Sequence, residues 1–114
     1  MSLATASRPG VAAYRQARTP KQMEAEVFAR ATAALRAAEA EGGVMARARA
    51  LADNRRLWDA VLSAVLDPTN ALPAPLRAQI ASLARAMLRE CDAESPDLAF
   101  IAETNEQMAA GLWS

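Results

Sequence analysis

Apolar side chains recur at every third or fourth position over most of this chain, which is the spacing of one face of an α-helix. The first such segment opens on TPKQ, with Thr19 as an N-cap, Pro20 at the first helical position and Gln22 at the capping-box position. It ends at Gly42 and Gly43, since glycine commonly terminates helices. This pattern predicts a first helix between the threonine and the two glycines, with a contact face made mostly of alanine.

A second helix is predicted from Val44 to Leu66, because Asp67 precedes Pro68 and the residue before a proline avoids the α-helical region. Its last three turns carry large apolar residues over an arc of about 180°, at roughly 100° per residue. So wide an arc exceeds what one neighbouring helix can cover. We therefore expect this helix either to be central in the fold or to form the wall of a groove. The residues of the arc are Leu57, Trp58, Val61, Leu62, Val65 and Leu66.

Two further helices are predicted in the second half of the chain. One begins near Pro73 and ends near Cys91, since two prolines in a first turn remove no intrahelical hydrogen bond. The other begins at Ser95-Pro96-Asp97, which combines capping residues with a proline. Four such segments with short loops predict an all-α fold, a small antiparallel bundle within residues 19–114. Residues 1–18 carry little apolar mass and are expected to form a mobile leader.

Two asparagines occupy positions where the helical pattern calls for apolar residues. Asn54 lies at the edge of the stripe on the second helix, and Asn105 falls inside the stripe that Ile101 and Met108 define on the fourth. An unsatisfied buried amide costs roughly 1–3 kcal/mol, so each is expected to bond a backbone carbonyl or a loop, and the two to lie close together. A structural role is the first interpretation and direct partner contact the second. Trp58 is likewise assigned to the core or to its rim.

Composition argues against catalysis and against a bound cofactor or metal. The 114 residues include no histidine, the commonest general base and metal ligand, and only one cysteine. Cys91 stands among Glu90, Asp92 and Glu94, whose charges disfavour a thiolate. The sequence contains no Gly-rich phosphate loop and no metal-ligand spacing. We therefore expect no enzymatic activity and no cofactor.

Charge is balanced overall but unevenly distributed along the chain. Residues 1–89 carry all thirteen basic residues and seven of the thirteen acidic ones, whereas residues 90–114 carry the other six acids and no base. Either the acidic C-terminal helix packs against Arg-rich neighbours in the same fold, or the polarised surface orients a partner. The arginines of MARARALADNRR are spread around their helix without interleaved aromatics, so nucleic-acid binding is not favoured.

The sequence predicts a cytoplasmic protein that does not insert into membranes. No apolar run approaches the roughly 20 residues of a membrane-spanning helix. Residues 1–18 lack the hydrophobic centre of a signal peptide. A single cysteine also fits a reducing compartment.

Four stretches of the chain together carry a family resemblance. They are AYRQARTPKQMEAEVF at 13–28, NRRLW at 54–58, NALPAPLRAQIASLAR at 70–85 and ETNEQMAAGL at 103–112. In this order they resemble the FlaF family of alphaproteobacterial flagellar biosynthesis regulators. The resemblance implies a non-enzymatic protein that promotes flagellin production and export, works with flagellin itself and opposes the translational regulator FlbT.

The resemblance also implies a binding mode, because the terminal segments of flagellin are amphipathic and unstructured until they polymerise. A cytoplasmic export chaperone for such a segment needs an apolar groove. The wide arc of the second helix and several methionines, which adapt to imperfect partners, are expected to line it. Phe100 points away from the stripe of the fourth helix and is a further candidate, with packing against the leader or a loop as its alternative. The hypothesised contact residues are Leu57, Trp58, Val61, Met87, Phe100, Met108 and Leu112.

Two other functions stay open on the sequence alone. A post-transcriptional regulator would contact flagellin mRNA, and its mark would be a one-sided arginine patch. A scaffold would act only through FlbT.

Overall fold

The computed structural model describes residues 20–113, with side chains described from residue 25 to residue 111. Four helices account for most of this part: α1 spans Pro20–Glu41, α2 Val44–Leu66, α3 Ala74–Cys91 and α4 Leu98–Trp113. Residues 20–113 contain no strand, so the all-α prediction is confirmed. The expected leader and the Thr19 cap lie outside the described residues, as does the side chain of Gln22.

Local backbone signals account for the boundary between α1 and α2. Gly42 and Gly43 both adopt positive φ angles, 74° and 96°, a region that costs other L-residues about 1–2 kcal/mol. The Gly42 amide donates to the carbonyl of Ala38 at 2.8 Å, which closes the last turn of α1. The chain therefore reverses within these two glycines, and α2 begins at Val44 as predicted.

Prolines and one aspartate define the starts of α3 and α4. Pro73 takes the N-cap position with an extended ψ of 142°, and Pro75 lies in the first turn, where neither proline removes a helical hydrogen bond. Asp97 caps α4, because its Oδ1 accepts a hydrogen bond from the Phe100 amide at 3.0 Å. Pro96 therefore lies before the cap, and α4 begins directly after the predicted signal instead of within it.

Helix α2 is central in the bundle. It packs against both α1 and α3, and α1 packs in turn against α4. The contact between α3 and α4 is slight, so the spatial order is α3, α2, α1, α4. Of the two positions expected for α2, the structure shows the central one, and two neighbours share its wide apolar arc.

The main core lies where α1 and α2 meet their neighbours. Trp58 is fully buried, and the ring of Phe28 meets it edge-on, with the ring centroids 5.8 Å apart and the planes at 90°. Leu35, Met87 and Ile101 are also fully buried. Every helix contributes buried alanines, whose small side chains let the backbones approach closely: Ala31, Ala38, Ala50, Ala84 and Ala102.

A smaller cluster closes the bundle where α2 ends and α3 begins. It consists of Val65, Ile80 and Ala81. Three half-buried side chains touch both this cluster and the main core, so the two form one continuous interior: Val61, Leu62 and Met108.

Ion pairs within the fold join the basic part of the chain to its acidic C-terminal part. Arg36 of α1 pairs with Glu106 of α4 at 3.0 Å, and Arg55 of α2 pairs with Asp92 at 2.7 Å. Both pairs join a basic residue of positions 1–89 to an acid of positions 90–114, as the intramolecular interpretation expects. Both are largely exposed, so they orient the helices more than they stabilise them.

Candidate interaction groove

Three of the hypothesised partner contacts are core residues in this structure. Leu57 is 7% exposed, and Trp58 and Met87 are both 0% exposed. The reason is the central position of α2, whose arc is covered on one side by α1 and on the other by α3. The sequence pattern indicates more apolar surface than the helices need, but in the structure this surface packs the helices together. These three side chains therefore offer no surface to a partner in this conformation.

The other hypothesised contacts are distributed over different parts of the bundle. Val61 and Met108 are half-buried between the two core clusters. Phe100 is 48% exposed on α4, although the next residue, Ile101, is fully buried. The side chain of Leu112 lies outside the described residues. The structure thus does not bring the predicted contacts together into one surface.

The two asparagines meet in a buried polar network. The Nδ2 of Asn105 donates to the Oδ1 of Asn54 at 2.7 Å, and the indole Nε1 of Trp58 donates to the Oδ1 of Asn105 at 2.9 Å. Asn54 then donates to the carbonyls of Ala31, at 3.1 Å, and Ala50, at 2.8 Å. Asn54 bonds backbone carbonyls as expected, whereas the bonds of Asn105 are to side chains. The network joins α1, α2 and α4, and satisfies each buried amide.

A shallow groove lies between α1 and α4. Its volume is about 590 Å³, and only residues of α1 and α4 line it. Phe28, Thr32 and Asn105 are buried beneath it. Alanines form much of its sides, which leaves room for larger side chains of a bound segment. The lining residues are Ala25, Phe28, Ala29, Thr32, Ala33, Arg36, Asn105, Glu106 and Ala109.

The polar groups of the groove are concentrated at one place. Arg36 Nη2 donates to Glu106 Oε1 at 3.0 Å, and Arg36 Nη1 also lies 3.8 Å from Glu39. The hydroxyl of Thr32 donates to the carbonyl of Phe28 at 2.7 Å and is therefore satisfied within α1. The groove thus combines an apolar trough with one exposed charge pair, which suits an amphipathic segment better than a small polar ligand.

A comparison with protein families agrees with the resemblance that the sequence carries. The family model described as flagellar protein FlaF matches residues 11–112. The chain belongs to the FlaF family. No curated protein and no solved structure matches the chain. Among the residues described for this FlaF-family chain, no helix is both long and apolar enough to cross a membrane.

The single thiol of this FlaF-family chain is buried. Burial raises the pKa of Cys91 above its ordinary value. Arg55 lowers it, whereas Asp92, Glu90 and Asp59 raise it further. From the sequence alone, the neighbouring acids are the expected reason why the thiolate is disfavoured. The structure shows that burial is the larger cause of the raised pKa. Within residues 20–113 no cluster of histidine, cysteine, aspartate and glutamate could hold a metal ion.

The arginines of the MARARALADNRR stretch are largely engaged within this FlaF-family fold. Arg47 donates to the carbonyl of Pro96 at 3.2 Å, and Arg56 pairs with Asp53 one turn earlier on α2. Arg55 is held by Asp92, as described above. Arg47 and Arg55 thus both contact the junction between α3 and α4, whereas Arg56 is paired within α2.

Sequence reasoning about this FlaF-family chain missed the groove, although a signal for it is present. Ala25, Ala29 and Ala33 recur every four residues along α1, which places three small side chains in one row on the helix surface. The contact face predicted for the first helix is a different one, which includes Ala31, Ala34 and Ala38. Its neighbour α4 supplies the other side through Ala109, a pairing that helical periodicity alone does not reveal.

Proposed function

We propose that this FlaF-family protein is a non-enzymatic, cytoplasmic adaptor that binds flagellin, keeps it export-competent and so promotes its synthesis and secretion. The α1/α4 groove is the observation that carries the proposal. Flagellin binds there as an amphipathic helix that lays its apolar side between the alanine row of α1 and Ala109 of α4. Membership of a flagellar protein family supports flagellin as the occupant.

The dimensions of the groove support a helical occupant. Along α1 the groove extends from Ala25 to Arg36, about 17 Å at 1.5 Å per residue, or three turns. A partner helix of that length presents residues at i, i+3, i+4 and i+7, which is the pattern of helix-in-groove recognition.

The exposed charge pair supports a fixed direction of binding. Arg36 and Glu106 face each other across the groove, beside its apolar part. A flagellin helix with a charged residue near one end is oriented by this pair, while its apolar face supplies most of the affinity. Such a binding mode keeps the segment from aggregating before export.

Blocking the groove tests the proposal. Replacing both Ala29 and Ala33 with glutamine fills the trough with longer polar side chains while keeping good helix formers. The matched control places glutamine at Ala37 and Ala110, which are exposed on the same two helices but do not line the groove.

Titration with flagellin and with its terminal peptides is expected to show Kd raised at least about tenfold by the groove variant, a loss of about 1.4 kcal/mol. The control variant should stay within about twofold of the original chain. Circular dichroism of all three proteins verifies equal helicity. An unchanged affinity of the groove variant would reject this surface.

A regulatory role that acts with FlbT is the second candidate. Three apolar side chains outside the groove favour it, because Val44, Met45 and Phe100 are exposed at the starts of α2 and α4. Arg47 ties the first turn of α2 to the carbonyl of Pro96 just before α4, so these residues belong to one end of the bundle. Pull-down of flagellin from a strain that lacks FlbT separates the two functions, since direct binding persists there and a scaffold acting through FlbT loses flagellin.

A further inference from the structure

We propose that residues 1–19 of this chain occupy the α1/α4 groove in the free protein and give way when a partner helix binds. The groove would then be covered by the chain's own N-terminal segment until flagellin arrives. The displacement step rests on the proposed function, whereas occupancy of the groove in the free protein does not.

Charge complementarity is the first reason. Residues 1–19 carry Arg8, Arg15 and Arg18 and no acid. Helix α4 carries no basic residue, and its acids Glu103 and Glu106 stand three positions apart, as neighbours on the helix surface. A segment that carries only positive charge thus lies next in sequence to a groove with an acidic side.

The acidic side also has capacity for a further cation. Glu106 lines the groove and pairs with Arg36, yet its side chain is 55% exposed. Glu103 is exposed and takes part in none of the ion pairs found among residues 25–111. Arginine can join such pairs through any of its five N–H donors, so the existing pair with Arg36 need not break.

The length of the N-terminal segment is the second reason. The groove begins at Ala25, six positions after Thr19, and extends to Arg36. From Thr19 to the far end is about 26 Å along a helix that rises 1.5 Å per residue. About eight extended residues cover that distance at roughly 3.3 Å each. The nineteen residues that precede α1 are therefore long enough to turn back and follow the groove, and Val11 and Tyr14 supply apolar groups for it.

Tethering makes weak contacts sufficient. A segment joined directly to α1 experiences an effective concentration in the millimolar range, so modest affinity gives substantial occupancy. A tethered competitor lowers the apparent affinity for a free partner, because the intrinsic affinity is multiplied by the fraction of time that the site is free. Removal of residues 1–18 is therefore expected to lower the Kd for a terminal flagellin peptide by about 3–10-fold. An unchanged or higher Kd would reject the displacement step.

Occupancy itself is tested without flagellin, so its outcome is independent of the proposed function. Cys91 is buried, so a nitroxide attached through Ser7→Cys marks the N-terminal segment in the full chain, and the original chain taken through the same labelling serves as the blank. In the ¹⁵N spectrum, the expected result is selective broadening of amides in 25–36 and 105–109. Broadening that is uniform or directed at another face would overturn the proposal.

Two further samples sharpen the test. In the labelled chain, Arg8→Glu with Arg15→Glu and Arg18→Glu is expected to remove the selective broadening, whereas the three Arg→Lys changes keep the charge and should preserve it. Retained broadening in the glutamate variant would contradict the role of charge. Mixing spin-labelled unenriched chain with unlabelled ¹⁵N chain detects pairing between copies, and broadening of the groove in that mixture would overturn occupancy within one chain.

Discussion

At the residue scale, the Asn54–Asn105–Trp58 network decides how three helices meet. Its polar atoms lie in a core made otherwise of apolar side chains, so each donor and acceptor must find a partner or incur a desolvation penalty. The hydrogen bonds of 2.7 and 2.9 Å to Asn105 supply those partners. The asparagines could be recognised in the sequence because they interrupt apolar stripes. The atoms that they bond could not be predicted from the sequence, because Asn54 and Asn105 are fifty-one positions apart.

Loss of the Asn105 amide should destabilise the fold strongly. Replacing Asn105 with leucine keeps the branching at Cγ but leaves the Trp58 N–H and the Asn54 Oδ1 without this partner. Each unsatisfied buried group costs about 1–3 kcal/mol, so the free energy of unfolding should fall by roughly 2–4 kcal/mol in urea titrations. Gln107→Leu, at an exposed position on the same helix, should change it by no more than about 0.5 kcal/mol. Equal small effects from both variants would show that the network contributes little.

Cys91 should make stability decrease with rising pH. Its folded pKa is raised by burial above the ordinary value of 9.0, so the unfolded thiol ionises first as the pH increases. Its contribution is therefore complete below the unfolded pKa and is lost above it, by up to about 1.4 kcal/mol per pH unit. Urea unfolding at pH 7 and pH 10 should show the original chain losing more of its free energy of unfolding than Cys91→Ala. Parallel losses in the two proteins would exclude this coupling.

At the scale of the elements, local chemistry made the helix boundaries predictable. The ends of α2 follow from Gly43 on one side and Asp67-Pro68 on the other, and neither depends on distant contacts. The start of α4 was less well predicted because Ser95 and Asp97 are both good capping residues. The structure selects Asp97, whose own amide is bonded to Glu90 Oε2 at 2.9 Å. That contact depends on how α3 ends, which local pattern does not show.

Two glycines with open space around them should respond oppositely to alanine. Gly42 has a φ of +74°, so Gly42→Ala should lower the free energy of unfolding by about 1–2 kcal/mol through backbone strain. Gly111 lies in helix α4 with no atom near its missing Cβ, so Gly111→Ala should raise it by up to about 1 kcal/mol. Thermal unfolding of the two variants measures the difference. Stabilisation by Gly42→Ala would contradict the assigned turn.

At the scale of the whole molecule, coverage of helix faces decided which apolar residues are available to a partner. The width of the α2 arc was visible in the sequence, and so was the need for more than one neighbour. The sequence did not show which helices those neighbours are, because that depends on the order α3, α2, α1, α4 in space. For that reason Trp58 and Met87 lie in the core. The open surface is instead lined by alanines of α1 and by Ala109 of α4.

The central claim is that this open surface, the α1/α4 groove, receives an amphipathic helix of flagellin. The most direct measurement is a titration of the ¹⁵N-labelled chain with terminal flagellin peptides, followed amide by amide. Saturable shifts concentrated in residues 25–36 of α1 and 105–109 of α4 are the predicted result. Saturable shifts centred on α3 or on the α2–α3 loop, or no shifts with any terminal peptide, would contradict the account.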